Sequence, residues 1–328
     1  MSTNQPTRKR KICALLLAAM LLALLPACGT APAEPGQKYS VEENTADNKA
    51  TYPYIVRTES ATWYLSADDM ALLGKETYLE GLYELLQYQE ADFADARAEL
   101  SGFIWDEIPP IDIYTDFCGK AEMSEVGGGY YNERRNFIKM FSGWDKTEYA
   151  LVHEYVHYLT FHCTDTPVRH GFFAEGIAEY VSKMAGHSRL VRCYYGNVSE
   201  EDKSLYKRNG AWDEEEDCLD PRLYFFGIAE LFAKGAFVGR EFFSTADVTM
   251  IRTEEIQQNP TPLTVSHYEA ASITAYLMET YTKEFVLSHL DMDPADMETV
   301  FGEPFSEIYR HWAAWNAERC AALGLITD

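Results

Sequence analysis

Two histidines four residues apart with a glutamate between them, His153-Glu154-Tyr155-Val156-His157, are the residues of this chain best spaced to do chemistry. On an α-helix positions i and i+4 share a face, so both imidazoles can turn toward one metal ion, with Glu154 at the side of that face as a candidate general base. The neighbours Tyr149, Leu151, Val152, Tyr155, Val156, Tyr158 and Leu159 are apolar or aromatic, as expected of a helix buried on most sides that shows its polar triplet to a cleft. Catalytic zinc takes three protein ligands and a water, so a further ligand must follow. The segment Gly171-Phe-Phe-Ala-Glu175-Gly-Ile-Ala-Glu179-Tyr180 offers two carboxylates four apart on a second predicted helix. One can bind the metal while the other braces a histidine.

HExxH followed by Ala174-Glu175-Gly176-Ile177-Ala178-Glu179-Tyr180 resembles the gluzincin metallopeptidases, the group that contains thermolysin and the zinc aminopeptidases. The resemblance implies a Zn2+ cofactor held by His153, His157 and Glu175, with Glu179 supporting a ligating histidine from behind. It also implies Glu154 as the general base of peptide-bond hydrolysis. Seventeen residues, 158–174, separate His157 from Glu175, slightly fewer than in the best-known members. Further on, Ser266-His267-Tyr268-Glu269 is similar to the Tyr-Glu segment that begins a C-terminal helix in zinc aminopeptidases, which implies a Tyr268 hydroxyl facing the oxyanion. A metzincin would need Gly three and His six residues after His157, where this chain has Thr160 and Cys163. The expected activity is a zinc metallopeptidase acting on peptides or proteins. The alternatives are a catalytically inactive relative that uses the cleft as a peptide or protein binding module, and a helical cell-surface protein without metal.

The N-terminus reads as an export signal: Arg8 to Lys11 are basic, and Ile12 to Leu25 is almost wholly apolar but short for a membrane span. Leu25-Pro26-Ala27-Cys28-Gly29 resembles the bacterial lipobox, which implies cleavage after residue 27 and lipidation of Cys28. Residues 28–50, rich in Ala, Pro, Glu and Asn, are expected to tether the domain to an extracytoplasmic membrane face. Removing 1–27 takes away four basic residues and no acidic ones, moving the net charge from −24 to −28, which argues against nucleic acid as a partner. The remaining cysteines, 118, 163, 193, 218 and 320, are odd in number and form no CxxC pair; Cys193 with Cys218 is the expected disulfide.

Residues 51–328 are expected to form one zincin-like α+β domain, with a small mixed sheet and the HExxH helix as one wall and mainly helical C-terminal residues as the other. The sequence predicts a strand over 52–66, a helix over 68–100 with Leu72, Leu79, Leu82, Leu85 and Leu86 at helical spacing, a strand over 108–117, and a glycine-led strand over 127–141. In gluzincin-like folds the strand before the HExxH helix is a sheet edge that pairs with extended substrate, a place this last segment would take. Residues 186–260 read as an insertion; the five consecutive acids 213–217 lack the alternation and turn glycine of a calcium loop and read as solvated. Phe305, Ile308, Trp312 and Trp315 form one apolar stripe of a closing helix.

Overall fold

A computed structural model of the chain describes residues 39–116, 129–141, 144–184 and 262–322, with short pieces at 204, 207, 212–213, 218–219, 229 and 248–252. The first six strands are β1 (Val41–Glu43), β2 (Tyr54–Arg57), β3 (Ala61–Leu65), β4 (Ile111–Thr115), β5 (Gly129–Asn132) and β6 (Phe137–Met140), and they form one mixed sheet in the order β1-β2-β3-β4-β6-β5. The β3–β4 and β4–β6 pairs are parallel; the others are antiparallel. Parallel neighbours require crossovers, and the first is helical: α1 (Ala67–Leu73) and α2 (Lys75–Glu99) lie between β3 and β4.

Two expected strands are hairpins. In 52–66, Thr58 turns the chain: its N–H and hydroxyl both donate to the Ala61 carbonyl, and its Oγ1 accepts from the Ala61 N–H. In 127–141 the turn passes through Asn136, whose φ of 52° lies in the left-handed region that asparagine tolerates. The expected long helix is two helices, broken at Gly74 with φ 85°. The tether ends sooner than residue 50, because Val41–Glu43 pair with β2 and Tyr39 stacks on Tyr83 of α2.

One face of the sheet is apolar and covered. Ala61, Trp63, Leu65, Ile111, Ile113, Ile138 and Met140 are buried, and Thr115 Oγ1 meets the Tyr78 hydroxyl of α2 at 2.7 Å. Against this layer runs α3 (Trp144–His162), which packs on β5, β6 and α2, with Tyr155 stacked on Phe93 at 3.9 Å. α4 (Gly171–Glu179) follows and continues as a π-helical turn, Tyr180–Met184.

Beyond it come two short antiparallel pairs, β7 (Trp212–Asp213) with β8 (Cys218–Leu219) and β9 (Val248–Arg252) with β10 (Pro262–Ser266). β10 runs straight into α5 (His267–Tyr281), and α6 (Lys283–Leu287), α7 (Met297–Phe301) and α8 (Phe305–Ala322) follow. The stripe on α8 behaves as its spacing predicts: Phe305, Ile308 and Trp312 are buried, and Trp315 packs at the core's margin.

Among the described residues a small mixed sheet with eight α-helices makes the α+β architecture expected. Cys28, the signal, most of the tether, Cys118, Cys193 and most of 186–260 lie outside the described residues; within them Cys163 is a buried free thiol and Cys320 is buried. Among the described residues no helix is long and apolar enough to cross a membrane.

Candidate metal centre

The helix that carries the histidine pair is fixed by its apolar residues. Leu151, Val152, Tyr155, Val156, Tyr158 and Leu159 are all buried, which leaves one strip of α3 for Glu154 and His157, both half-buried, with His153 deeper at 8% exposure. The Tyr158 hydroxyl donates to Pro109 O at 2.6 Å, and that of Tyr155 accepts from Arg97 at 3.0 Å, so both polar tips are satisfied while the rings anchor the helix. A loop over 163–170 reverses the chain, and His170 caps α4 by accepting from the Phe172 N–H. α4 buries Phe172, Phe173, Ile177 and Ala178 and turns Glu175 and Glu179 toward α3.

The sequence-predicted ligands converge. His153 Nε2 and His157 Nε2 are 3.0 Å apart, and Glu175 Oε2 lies 3.2 Å from the first and 3.4 Å from the second. Bonds of 2.0–2.1 Å to a tetrahedral zinc place any two ligand atoms about 3.3 Å apart, so this triangle has the edge lengths that such an ion requires. The group can hold a metal ion. Two imidazole nitrogens with a single carboxylate suit zinc and its first-row neighbours, whereas calcium and magnesium sites are built from oxygen.

Glu179, 6% exposed at its side chain, sets Oε1 3.2 Å from His153 Nδ1 on the side away from Glu175, the place of a carboxylate that steers a ligating imidazole. The contact is within ion-pair range. Burial opposes protonation of His153, but hydrogen bonding to Glu175 and Glu179 and the charges of Glu179 and Glu154 outweigh it, holding its pKa well above the ordinary imidazole value. Burial also pushes Glu175 upward, and the His157 charge with the His153 contacts reverses this, holding its carboxyl well below the usual range. The first shift favours a positive charge on His153, and the second keeps Glu175 ionised beside it.

Glu154 stands apart from the triangle. Its Oε2 accepts the Tyr131 N–H of β5 at 2.7 Å, which ties the candidate base to the outermost strand of the sheet. That N–H points away from β6, as every second residue of an antiparallel edge strand must. Tyr268 is half-buried in the first turn of α5, and its neighbour stands at the triangle. The neighbour is His267, whose Nδ1 lies 3.8 Å from Glu175 Oε2 and whose ring is near parallel to that of His153 at 6.5 Å.

Sequence reasoning assigned no role to His267 or to the Tyr131 amide. The first was legible in principle, as a histidine at the start of a helix already expected to face the site. The second was not, because any residue supplies a backbone N–H. No family model matches the chain, and no curated protein or solved structure matches it.

Proposed function

We propose that this chain is a zinc metallopeptidase of zincin-like architecture, exported and held at a bacterial membrane through a lipid on Cys28. The observation that supports the hydrolytic reading best is the conjunction of the 3.0–3.4 Å His153–His157–Glu175 triangle with a third carboxylate, Glu154, beside it and outside the ligand set. A structural metal site needs ligands alone; a general base held next to a three-ligand site is what hydrolysis adds.

Zinc, when bound, lowers the pKa of a water to about 7 and polarises a carbonyl. Glu154 then takes a proton from the attacking water and delivers it to the departing amine. The Tyr131 N–H holds one oxygen of that carboxylate, which leaves the other to move the proton. An extended peptide laid along β5 would add to the sheet through main-chain hydrogen bonds, bringing its backbone carbonyls past Glu154. Tyr268, as the resemblance implies, supplies a hydroxyl to the oxyanion, and Glu179 keeps His153 turned toward the metal.

The deciding experiment is Glu154→Gln in the full chain, assayed for zinc content and for cleavage of a mixed peptide library by mass spectrometry. Retained zinc with lost cleavage is expected. Cleavage at the parent's rate would overturn the assignment of the base. A parent that binds zinc and peptides yet cleaves nothing would favour the inactive binding module.

A further inference from the structure

We infer that His267 is a positioning residue for the ligand carboxylate: its Nδ1–H holds Glu175 in the orientation that binds metal. This inference rests on the metal-centre reading and adds a member that the HExxH and Glu-Gly segments do not contain. A ligating carboxylate needs its own hydrogen-bonding partner, because a carboxylate with free rotation about χ3 spends part of its time turned away from the metal. Glu175 has two ligand histidines on one side. Among the described residues His267 is the one further basic side chain within 4 Å of its carboxylate, with Nδ1 3.8 Å from the same Oε2.

The surroundings of His267 are built, not incidental. Its ring is 15% exposed at the side chain and lies within 22° of parallel to His153, so Glu175 Oε2 is flanked by two imidazoles. Ser266 caps α5 by accepting from the Glu269 N–H at 3.1 Å, and Glu269 Oε2 accepts from the Ser266 N–H at 2.8 Å, a reciprocal box that fixes the backbone on both sides of position 267. Tyr309 of α8 donates to the other Glu269 oxygen at 2.9 Å. On the ligand's side, Gly176 lets α4 press on α5 so closely that a Cβ there would meet Ala270 O at 2.9 Å. The helix that carries the ligand and the helix that carries His267 are therefore locked together one residue beyond Glu175. At 3.8 Å the pair lies within ion-pair range, about 1 Å beyond hydrogen-bond length.

Because the contact is made by Nδ1, the inference predicts an ordered series. The amide nitrogen of asparagine sits where Nδ1 does, so His267→Asn keeps a donor near Glu175. Glutamine reaches toward the Nε2 position, and alanine has nothing. Each full-length variant and the parent are competed for Zn2+ against a graded chelator, with urea midpoints measured alongside to compare folding. His267→Ala and His267→Gln are expected to bind Zn2+ about 10 to 100-fold more weakly than the parent, with His267→Asn close to it. Parent and His267→Ala holding Zn2+ equally tightly would overturn the inference, as would a loss of hydrolysis with unchanged affinity, which would make His267 a group acting on substrate. So would an asparagine variant no better than alanine at equal urea midpoints. A parent that does not hold Zn2+ at all would instead bring down the metal-centre reading, which keeps the two failures separate.

Discussion

Adding one methyl group at Gly176 should damage both the fold and the metal site. A Cβ built there stands 2.7 Å from Thr274 Oγ1, 2.9 Å from Ala270 O and 3.2 Å from Ala270 C, against 3.4–4 Å for ordinary contact. The threonine could swing aside at the loss of its 2.8 Å bond to the Ala270 carbonyl, but the carbonyl itself belongs to the α5 backbone and moves only with the helix. Relief needs α4 and α5 to separate by roughly half an ångström. Overpacking of this kind costs about 1–3 kcal/mol. Alanine recovers up to about 1 kcal/mol through its helix propensity, so the middle of that range leaves a net cost of about 1 kcal/mol. Glu175 directly precedes Gly176, so the same displacement carries the ligand away from the histidine pair. Urea unfolding of Gly176→Ala gives the stability change, and chelator competition gives the Zn2+ affinity; both should fall. Adding Thr274→Ala should restore only part of the loss, because the backbone contact remains. A Gly176→Ala protein within about 0.5 kcal/mol of the parent, with unchanged Zn2+ affinity, would refute the argument that this helix contact sets the ligand.

Glu175→Ala should lose zinc more completely than Glu179→Ala, since Oε2 of Glu175 faces both Nε2 atoms whereas Glu179 Oε1 meets Nδ1 on the far side of His153; the latter should cost about 10 to 100-fold in affinity, and the reverse order in chelator competition would exchange their roles. Tyr268→Phe should lower kcat on the order of 10²-fold at unchanged zinc affinity, and an unchanged kcat would leave Tyr268 a packing residue. In a bacterial host Cys28→Ser should abolish lipid labelling and shift the protein out of the membrane fraction; full retention there would contradict the anchor.

The parts of the site written in side-chain type and spacing were legible in the sequence. The i, i+4 histidines inside an apolar run required a helix with one polar strip, and α3 has that strip. Glu175 and Glu179, one turn apart, lie on opposite sides of the same imidazole, a division of labour that spacing alone leaves open. The hairpin within 52–66 was hidden because Thr58-Glu59-Ser60 has no glycine or proline to mark a turn, and its geometry comes from a threonine hydroxyl. Gly74 was visible, but leucine periodicity continued across it, and only its positive φ separates two helices from one. β1 was hidden in a polar stretch whose pairing is main-chain to main-chain. His267 starts a helix already expected to face the site, but its distance from Glu175 is set by the packing of α4 on α5 at Gly176.

The central claim is that His153, His157 and Glu175 make one metal site, and metal analysis of the purified full chain after mild dialysis tests it most directly. About one zinc per chain is expected in the parent, and none in His153→Ala or His157→Ala. A parent devoid of zinc that takes up none on titration, or a histidine variant that retains a full equivalent, would contradict the account.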